Sequence, residues 1–230
     1  MKYMKVDRFT IELEKKKIKN MYLKVHSPDG RILVTAPLRM KDEEIKAFIS
    51  TRLSWIEEHQ AKVLQKPMQK ELHYITGETI TVWGQSYTLD VLEQIKPTRV
   101  SVLGDVLQLS VRKDSTLEQR KAVIDKWYKE KLSEQIPILI HKWEKIIGVQ
   151  AGDYRIRDMK SRWGSCNIRT HEICINLQLV KRPLWCLEYV VVHELVHLLE
   201  KSHNKIFWGY MDRFLPDWKK IRLELKANIQ

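Results

Sequence analysis

Three of the chain's eight histidines lie between positions 193 and 203, and this cluster restricts how that part of the chain can fold. His193 and His197 are four positions apart, so on an α-helix both imidazoles lie on the same face. The flanking positions are mostly apolar: Val191, Val192, Leu195, Val196, Leu198 and Leu199. The pattern therefore predicts a buried helix that presents two histidines on one side.

The glutamate that directly follows the first of these histidines indicates which chemistry the helix can support. Glu194 lies about 100° around the helix axis from His193, so its carboxylate can reach beside a bound metal ion without replacing a ligand. Zinc lowers the pKa of water, and a carboxylate beside it can accept the proton as a general base. The pattern is typical of zinc hydrolases and predicts a Zn²⁺ site at His193 and His197, with Glu194 as the base.

A catalytic zinc site commonly has three protein ligands and leaves a fourth position for water or substrate. His203 is the favoured third ligand, because it lies just beyond the point where the helix can end and the chain can turn back. Asp212 and Asp217 are the alternative third ligands. Cys166 is a further candidate that becomes unnecessary if His203 binds the metal.

The first part of the chain is predicted to be rich in β-strands. Apolar and polar residues alternate on both sides of a turn at residues 28–30, which predicts a hairpin. One helix is predicted from about residue 43 to 65, because its apolar residues form a single stripe. Residues 72–111 return to short strands, with a hairpin turn at Gly104. We assign residues 1–112 to a β-rich N-terminal module with one helix.

The second part of the chain mixes helices and strands. A helical pattern covers about residues 115–147, with a kink or break expected at Pro137, because proline lacks the amide hydrogen that the helix needs. Two strand-like segments follow and are expected to pair. A helix that begins at Pro183 and ends near Glu200 then carries the histidines. The fold class is therefore α+β, with residues 113–230 as the catalytic module.

Composition narrows the classes of function. The net charge of +12 favours polyanionic surroundings such as nucleic acid, although a solvated basic surface explains the charge equally well. No apolar run approaches the roughly 18 residues that span a bilayer, and the N-terminus lacks the pattern of a signal peptide, so we expect a cytoplasmic protein. Three cysteines without a CxxC pair argue against a disulfide framework.

The second half of the chain contains, in order, the segments RIRDMKSRWGSCN, EICINLQLV and YVVVHELVHLLEKSHNKIFW. Together with the N-terminal segment KNMYLKVHSPDGRILVTAPLRMKDEEIKAFISTRLSWI, they resemble the YgjP-like metal-dependent hydrolases, relatives of the SprT-like zinc metallopeptidases. The resemblance implies a zincin-like catalytic module. It also implies that His193, His197 and His203 are the zinc ligands and that Glu194 is the catalytic base.

The stretch RWGSC, which precedes the histidine helix in the sequence, has two interpretations. Arg162 and Ser165 are candidate substrate contacts along the rim of a cleft, and Gly164 would allow a close approach of the backbone. Trp163 and Cys166 are expected to pack in the interior instead.

These interpretations lead to a zinc-dependent hydrolase, with a metallopeptidase acting on protein or peptide as the preferred function. The alternative is hydrolysis of a phosphoanhydride such as a nucleoside triphosphate, because a local excess of positive charge suits phosphates. The basic residues concerned are Arg155, Arg157, Lys160, Arg162 and Arg169. A third alternative is a DNA-associated module with a structural metal, against which the glutamate beside two ligands argues.

Overall fold

The structure is a computed structural model that describes residues 2–26, 28–65, 71–94 and 98–226. Within these residues the fold is α+β, as predicted, with three small β-sheets and six α-helices. The chain divides into two compact units, Met1–Glu71 and Leu72–Gln230. Among the helices of the described ranges, none combines the length and the apolar character that crossing a bilayer requires.

The first unit contains a four-stranded sheet with two helices. The strands are β1 (Lys2–Val6), β2 (Phe9–Lys16), β3 (Tyr22–Val25) and β4 (Ile32–Pro37), in the spatial order β1-β2-β4-β3. The predicted hairpin is confirmed, because β3 and β4 pair antiparallel with Tyr22 opposite Thr35. The single predicted helix is instead divided into α1 (Asp42–Ser50) and α2 (Leu53–Gln65). At the division, the Thr51 hydroxyl donates to the Phe48 carbonyl at 2.8 Å, a local bond that competes with helical bonding.

The second unit begins with another four-stranded sheet. Its strands are β5 (Thr79–Val82), β6 (Gln85–Glu93), β7 (Arg99–Leu103) and β8 (Val106–Val111), in the order β5-β6-β8-β7. Leu89 and Leu107 of this sheet belong to the same buried cluster as Ile124 and Leu132. The boundary between compact units thus differs from the predicted one near residue 112, because these strands share their core with the helices that follow.

The long helix α3 (Leu117–Ile147) supports this core. Thr116 caps its first turn, and Gly148 ends it in the left-handed region at φ 79°, a conformation that glycine adopts without steric cost. The helix continues through Pro137, so the break considered from the sequence does not occur. Ile136 and Ile140, on either side of the proline, are buried, and this packing offsets the missing backbone bond.

The part of the second unit that carries the histidines combines a small sheet with three helices. The elements are β9 (Tyr154–Arg157), β10 (Gly164–Asn167), β11 (Glu172–Asn176), α4 (Leu184–Val196), α5 (Lys205–Phe214) and α6 (Trp218–Lys226). The expected pairing is confirmed: β10 lies antiparallel and β9 parallel to β11, on opposite sides of it. Residues Leu177–Lys181 form a 3₁₀ helix rather than a continued strand. Helix α4 ends at Val196, earlier than predicted.

Candidate metal centre

The structure brings the three histidines together at the end of α4. His193 lies in the last turn of the helix, and His197 is the residue that caps it with helical φ and ψ angles of −62° and −19°, so the shared face continues through both. The chain then turns back and places Nε2 of His203 at 2.9 Å from Nε2 of His193. One ring nitrogen from each histidine lies within 4.8 Å of the other two.

The protonation of these imidazoles suits a metal ligand. Burial, followed by the charges of the other two histidines, lowers the pKa of His193 to about 3. Burial is also the main cause that lowers the pKa of His197 and of His203. All three side chains are therefore neutral at neutral pH, which is the form of imidazole that binds a metal ion.

Hydrogen bonds and ring contacts orient two of the three imidazoles. Nδ1 of His197 lies 3.2 Å from the carbonyl oxygen of Glu200, and a proton donated there leaves Nε2 free to bind a metal. The His203 ring stacks on Trp208, with centroids 5.5 Å apart, and the Trp208 indole donates to the His203 carbonyl at 3.0 Å. Nδ1 of His193 is buried and has no hydrogen-bond partner among the described residues.

Glu194 is buried beside these histidines and lies close to the backbone of Gly164. Only 5% of its surface is exposed; burial raises the pKa of its carboxyl group to about 8, while the charge of Arg162 acts in the opposite direction. A Cβ atom on Gly164 would lie 2.5 Å from Oε1 of Glu194 and 2.7 Å from Cγ1 of Val190. The backbone therefore makes the close approach expected at Gly164, and the group that it approaches is the carboxylate of Glu194, the predicted general base.

A cavity of about 500 Å³ joins these groups. Its wall contains the three histidines and Glu194, together with both predicted substrate contacts, Arg162 and Ser165. The arrangement therefore places three nitrogen atoms that can bind a metal ion, a buried carboxylate and one strand of a sheet around a single cavity.

The alternative metal ligands have other partners or environments. Asp212 accepts a hydrogen bond from the Trp218 indole at 2.8 Å, and Asp217 pairs with Lys220 at 3.1 Å. The described metal-ligand cluster contains neither of them. Cys166 lines the cavity, where burial, assisted by the charge of Glu194, raises the pKa of its thiol to about 11. The described metal-ligand cluster does not include it.

Trp163 and the basic residues between 155 and 169 differ in how they are placed relative to the cavity. Trp163 packs against the core and donates from its indole to the Leu225 carbonyl at 3.2 Å, and it also lines the cavity. Of the described basic residues between 155 and 169, Arg162 lines the cavity, whereas Arg155 pairs with Glu172 at 2.9 Å.

Sequence reasoning missed three polar residues of the cavity wall: Tyr189, Lys201 and Arg222. Tyr189 lies one helical turn before His193, with ring centroids 5.8 Å apart, so the same spacing of four that revealed the histidines could have identified it. No local spacing connects Arg222 to the motif, because it lies on α6 and reaches the site through tertiary packing.

Comparison with known proteins assigns the chain to a family. The sequence profile described as "YgjP-like, metallopeptidase domain" matches residues 19–228. The chain belongs to the YgjP-like family. No curated protein matches this YgjP-like chain.

Two solved structures resemble part of the YgjP-like chain. One is the metallopeptidase zymogen of Pyrococcus abyssi abylysin, with 22% identity and a TM-score of 0.39, covering 41% of this chain and 95% of that one. The other is the metallopeptidase zymogen of Methanocaldococcus jannaschii jannalysin, with 20% identity, a TM-score of 0.37 and coverage of 41% and 97%.

Membership of a metallopeptidase family implies a metal ion, and the donors of this YgjP-like chain fit one. Three neutral imidazoles converge at His193, His197 and His203, and all three side chains line the cavity. Three nitrogen ligands with space beside them are typical of a catalytic rather than a purely structural metal site.

The contact between Gly164 and Glu194 gives a test of stability. We expect Gly164→Ala to lower the free energy of unfolding by about 1–3 kcal/mol, because an added methyl group overpacks the interior against Glu194 and Val190. Urea denaturation measures the effect. Gly209→Ala is the matched control: nothing lies within 4 Å of the added methyl group, and alanine stabilises a helix by about 0.5–1 kcal/mol over glycine. Equal stability of the two variants would contradict the close approach.

Proposed function

We propose that this chain is a zinc-dependent metallopeptidase with a zincin-like catalytic module. The observation that supports it most directly is the convergence of His193, His197 and His203 beside the buried Glu194 in one cavity. The three histidines would hold Zn²⁺, and the His-Glu-x-x-His arrangement on α4 would provide both ligands and base. Family membership supports protein or peptide as the substrate.

The residues of the cavity have separate roles in this proposal. When bound, zinc supplies Lewis acidity that polarises the scissile carbonyl and lowers the pKa of water. Glu194 accepts the proton of the attacking water and returns it to the leaving amine. The charge of Arg162 acts against the raised pKa of Glu194, and the charge of a bound zinc ion would lower that pKa further, towards the ionised carboxylate that a base requires.

The small sheet offers a binding place for an extended peptide. Strand β10 is at the edge of this sheet and lines the cavity through Gly164 and Ser165. An extended chain can add to such an edge through backbone hydrogen bonds. Asn176, which is 3% exposed, supports the preceding loop by donating to the carbonyl of Arg162 at 2.7 Å. Arg162 and Ser165 would therefore contact the substrate.

Nucleotide hydrolysis has weaker support than peptide hydrolysis. It was predicted from the basic residues between 155 and 169, of which Arg162 lines the cavity and Arg155 is paired with Glu172. Association with nucleic acid likewise rests on net charge alone. Neither activity is favoured by the family, whose description names a metallopeptidase.

The proposal predicts hydrolysis that depends on bound metal. Purified protein loaded with zinc should cleave members of a random fluorogenic peptide library or an unfolded protein. Treatment with a chelator should abolish cleavage, and added zinc should restore it, because the ion supplies the Lewis acid. Nucleoside triphosphates are offered in parallel. Zinc-dependent triphosphate hydrolysis without cleavage of any peptide would overturn the proposal in favour of phosphoanhydride chemistry.

A further inference from the structure

The wall of the candidate metal centre carries an excess of positive charge. Arg162, Lys201 and Arg222 line the cavity, and Glu194 is the carboxylate among its described lining residues. A cavity with one sign of charge concentrates ligands of the opposite sign. The groups that line the site therefore suit a substrate that brings negative charge close to the histidines.

Arg222 is the most rigidly supported of these basic residues. Its guanidinium carbon lies 4.5 Å from the ring centroid of Trp208 and 5.7 Å from that of Trp218. The two indoles stack with centroids 4.4 Å apart and an angle of 15° between their planes. Because the guanidinium is planar and rests on stacked rings, little side-chain entropy remains to be lost when it binds a ligand.

The donors of Arg222 are available in the described structure. No salt bridge to Arg222 is formed within the described ranges, and the two aspartates near it in sequence pair with lysines instead. Asp212 binds Lys219 at 3.3 Å, and Asp217 binds Lys220 at 3.1 Å. Arg155, by contrast, already binds a carboxylate of its own sheet.

Arg222 is also connected to the candidate catalytic groups. It shares the cavity wall with His193 and His203. Trp208 joins the two features directly, since one indole stacks on the His203 ring and also supports the Arg222 guanidinium.

We propose that Arg222 binds a carboxylate of the peptide substrate close to the bond that is hydrolysed, so that the enzyme prefers acidic peptides. The inference rests on the proposed peptidase function and names its substrate class. The fork of guanidinium N–H donors matches the two oxygens of a carboxylate. That carboxylate can belong to an aspartate or glutamate side chain or to the C-terminus of the peptide.

Matched peptides test this proposal without requiring turnover. We measure how tightly these peptides bind to the zinc-loaded Glu194→Gln variant. One set of peptide pairs differs only by glutamate or glutamine, and a second set differs only by a free or an amidated C-terminus. We expect a carboxylate to strengthen binding by about 10- to 100-fold, as for a charge-assisted hydrogen-bonded pair. The pair that shows the effect identifies which carboxylate Arg222 binds.

Substitutions then assign the preference to Arg222. Arg222→Gln should reduce the ratio of affinities to near one, and Arg222→Lys should restore part of it, because lysine keeps the charge but not the fork. Arg213→Gln is the matched control, since Arg213 lies over Phe214 at 5.3 Å and is absent from the described cavity wall. It should leave the ratio unchanged.

The possible results separate this inference from the peptidase proposal. Equal binding of acidic and neutral peptides, or a preference that survives in Arg222→Gln, overturns the role of Arg222 while peptide cleavage by the wild-type chain stands. Binding of nucleoside triphosphate that requires Arg222, without any effect of a peptide carboxylate, also overturns it. If the wild-type chain cleaves no peptide but still prefers peptides with a carboxylate, the catalytic proposal is contradicted instead.

Discussion

Replacement of Glu194 by glutamine is expected to slow peptide hydrolysis by about 10²–10⁴-fold, the usual contribution of a general base. The amide has nearly the same size as the carboxylate, so it fits beside Gly164 and Val190, but it cannot accept the proton of the attacking water. The rate constant kcat of zinc-loaded protein measures the effect, with zinc content determined by elemental analysis. Near-normal hydrolysis by the variant would remove Glu194 from the mechanism.

A second glutamate on the same helix provides the control. Glu188 accepts hydrogen bonds from Lys142 at 2.7 Å and from the Trp143 indole at 2.9 Å. It is not part of the described cavity wall. Glu188→Gln removes one charge from α4 without touching the candidate centre, so its hydrolysis should remain close to that of the wild-type chain.

Loss of His203 is expected to remove most of the affinity for zinc. Removing a group that only orients a ligand typically costs 10–100-fold in metal affinity, and we expect removal of the ligand itself to cost more. His203 is exposed, so His203→Ala can be made without opening a cavity in the core. Competition against a chromophoric chelator measures the dissociation constant.

His141 offers a matched control for this measurement, because it is an exposed histidine on α3 outside the cluster. His141→Ala should bind zinc as the wild-type chain does. Full zinc occupancy in His203→Ala, at concentrations that saturate the wild-type chain, would show that another residue supplies the third ligand.

The local part of the candidate centre was predictable from sequence. His193 and His197 share a helical face because of their spacing alone, and the side chain of Asn204 caps α5 by accepting from the Ile206 and Phe207 amides at 2.9 and 3.1 Å. Such features depend on a few neighbouring residues and on fixed helical geometry.

The long-range part of the structure could not be read in this way. Arg222 reaches the cavity only because α6 packs against α4, and no periodicity in the sequence indicates that contact. The predicted module boundary near residue 112 followed the change from strands to helices. The compact units divide between Glu71 and Leu72 instead, because membership of a core is decided by tertiary packing rather than by the type of element.

The contact of β10 with α4 would also determine how a substrate is aligned. Gly164 brings the edge strand directly against Glu194, so the strand proposed to receive a peptide would lie in direct contact with the proposed base. A peptide paired with β10 would advance past Glu194 in steps of about 3.3 Å per residue, with alternate side chains on opposite faces. A slip of one residue would reverse which side chains meet the cavity. Pairing register, more than the identity of any single side chain, would then select the bond beside Glu194.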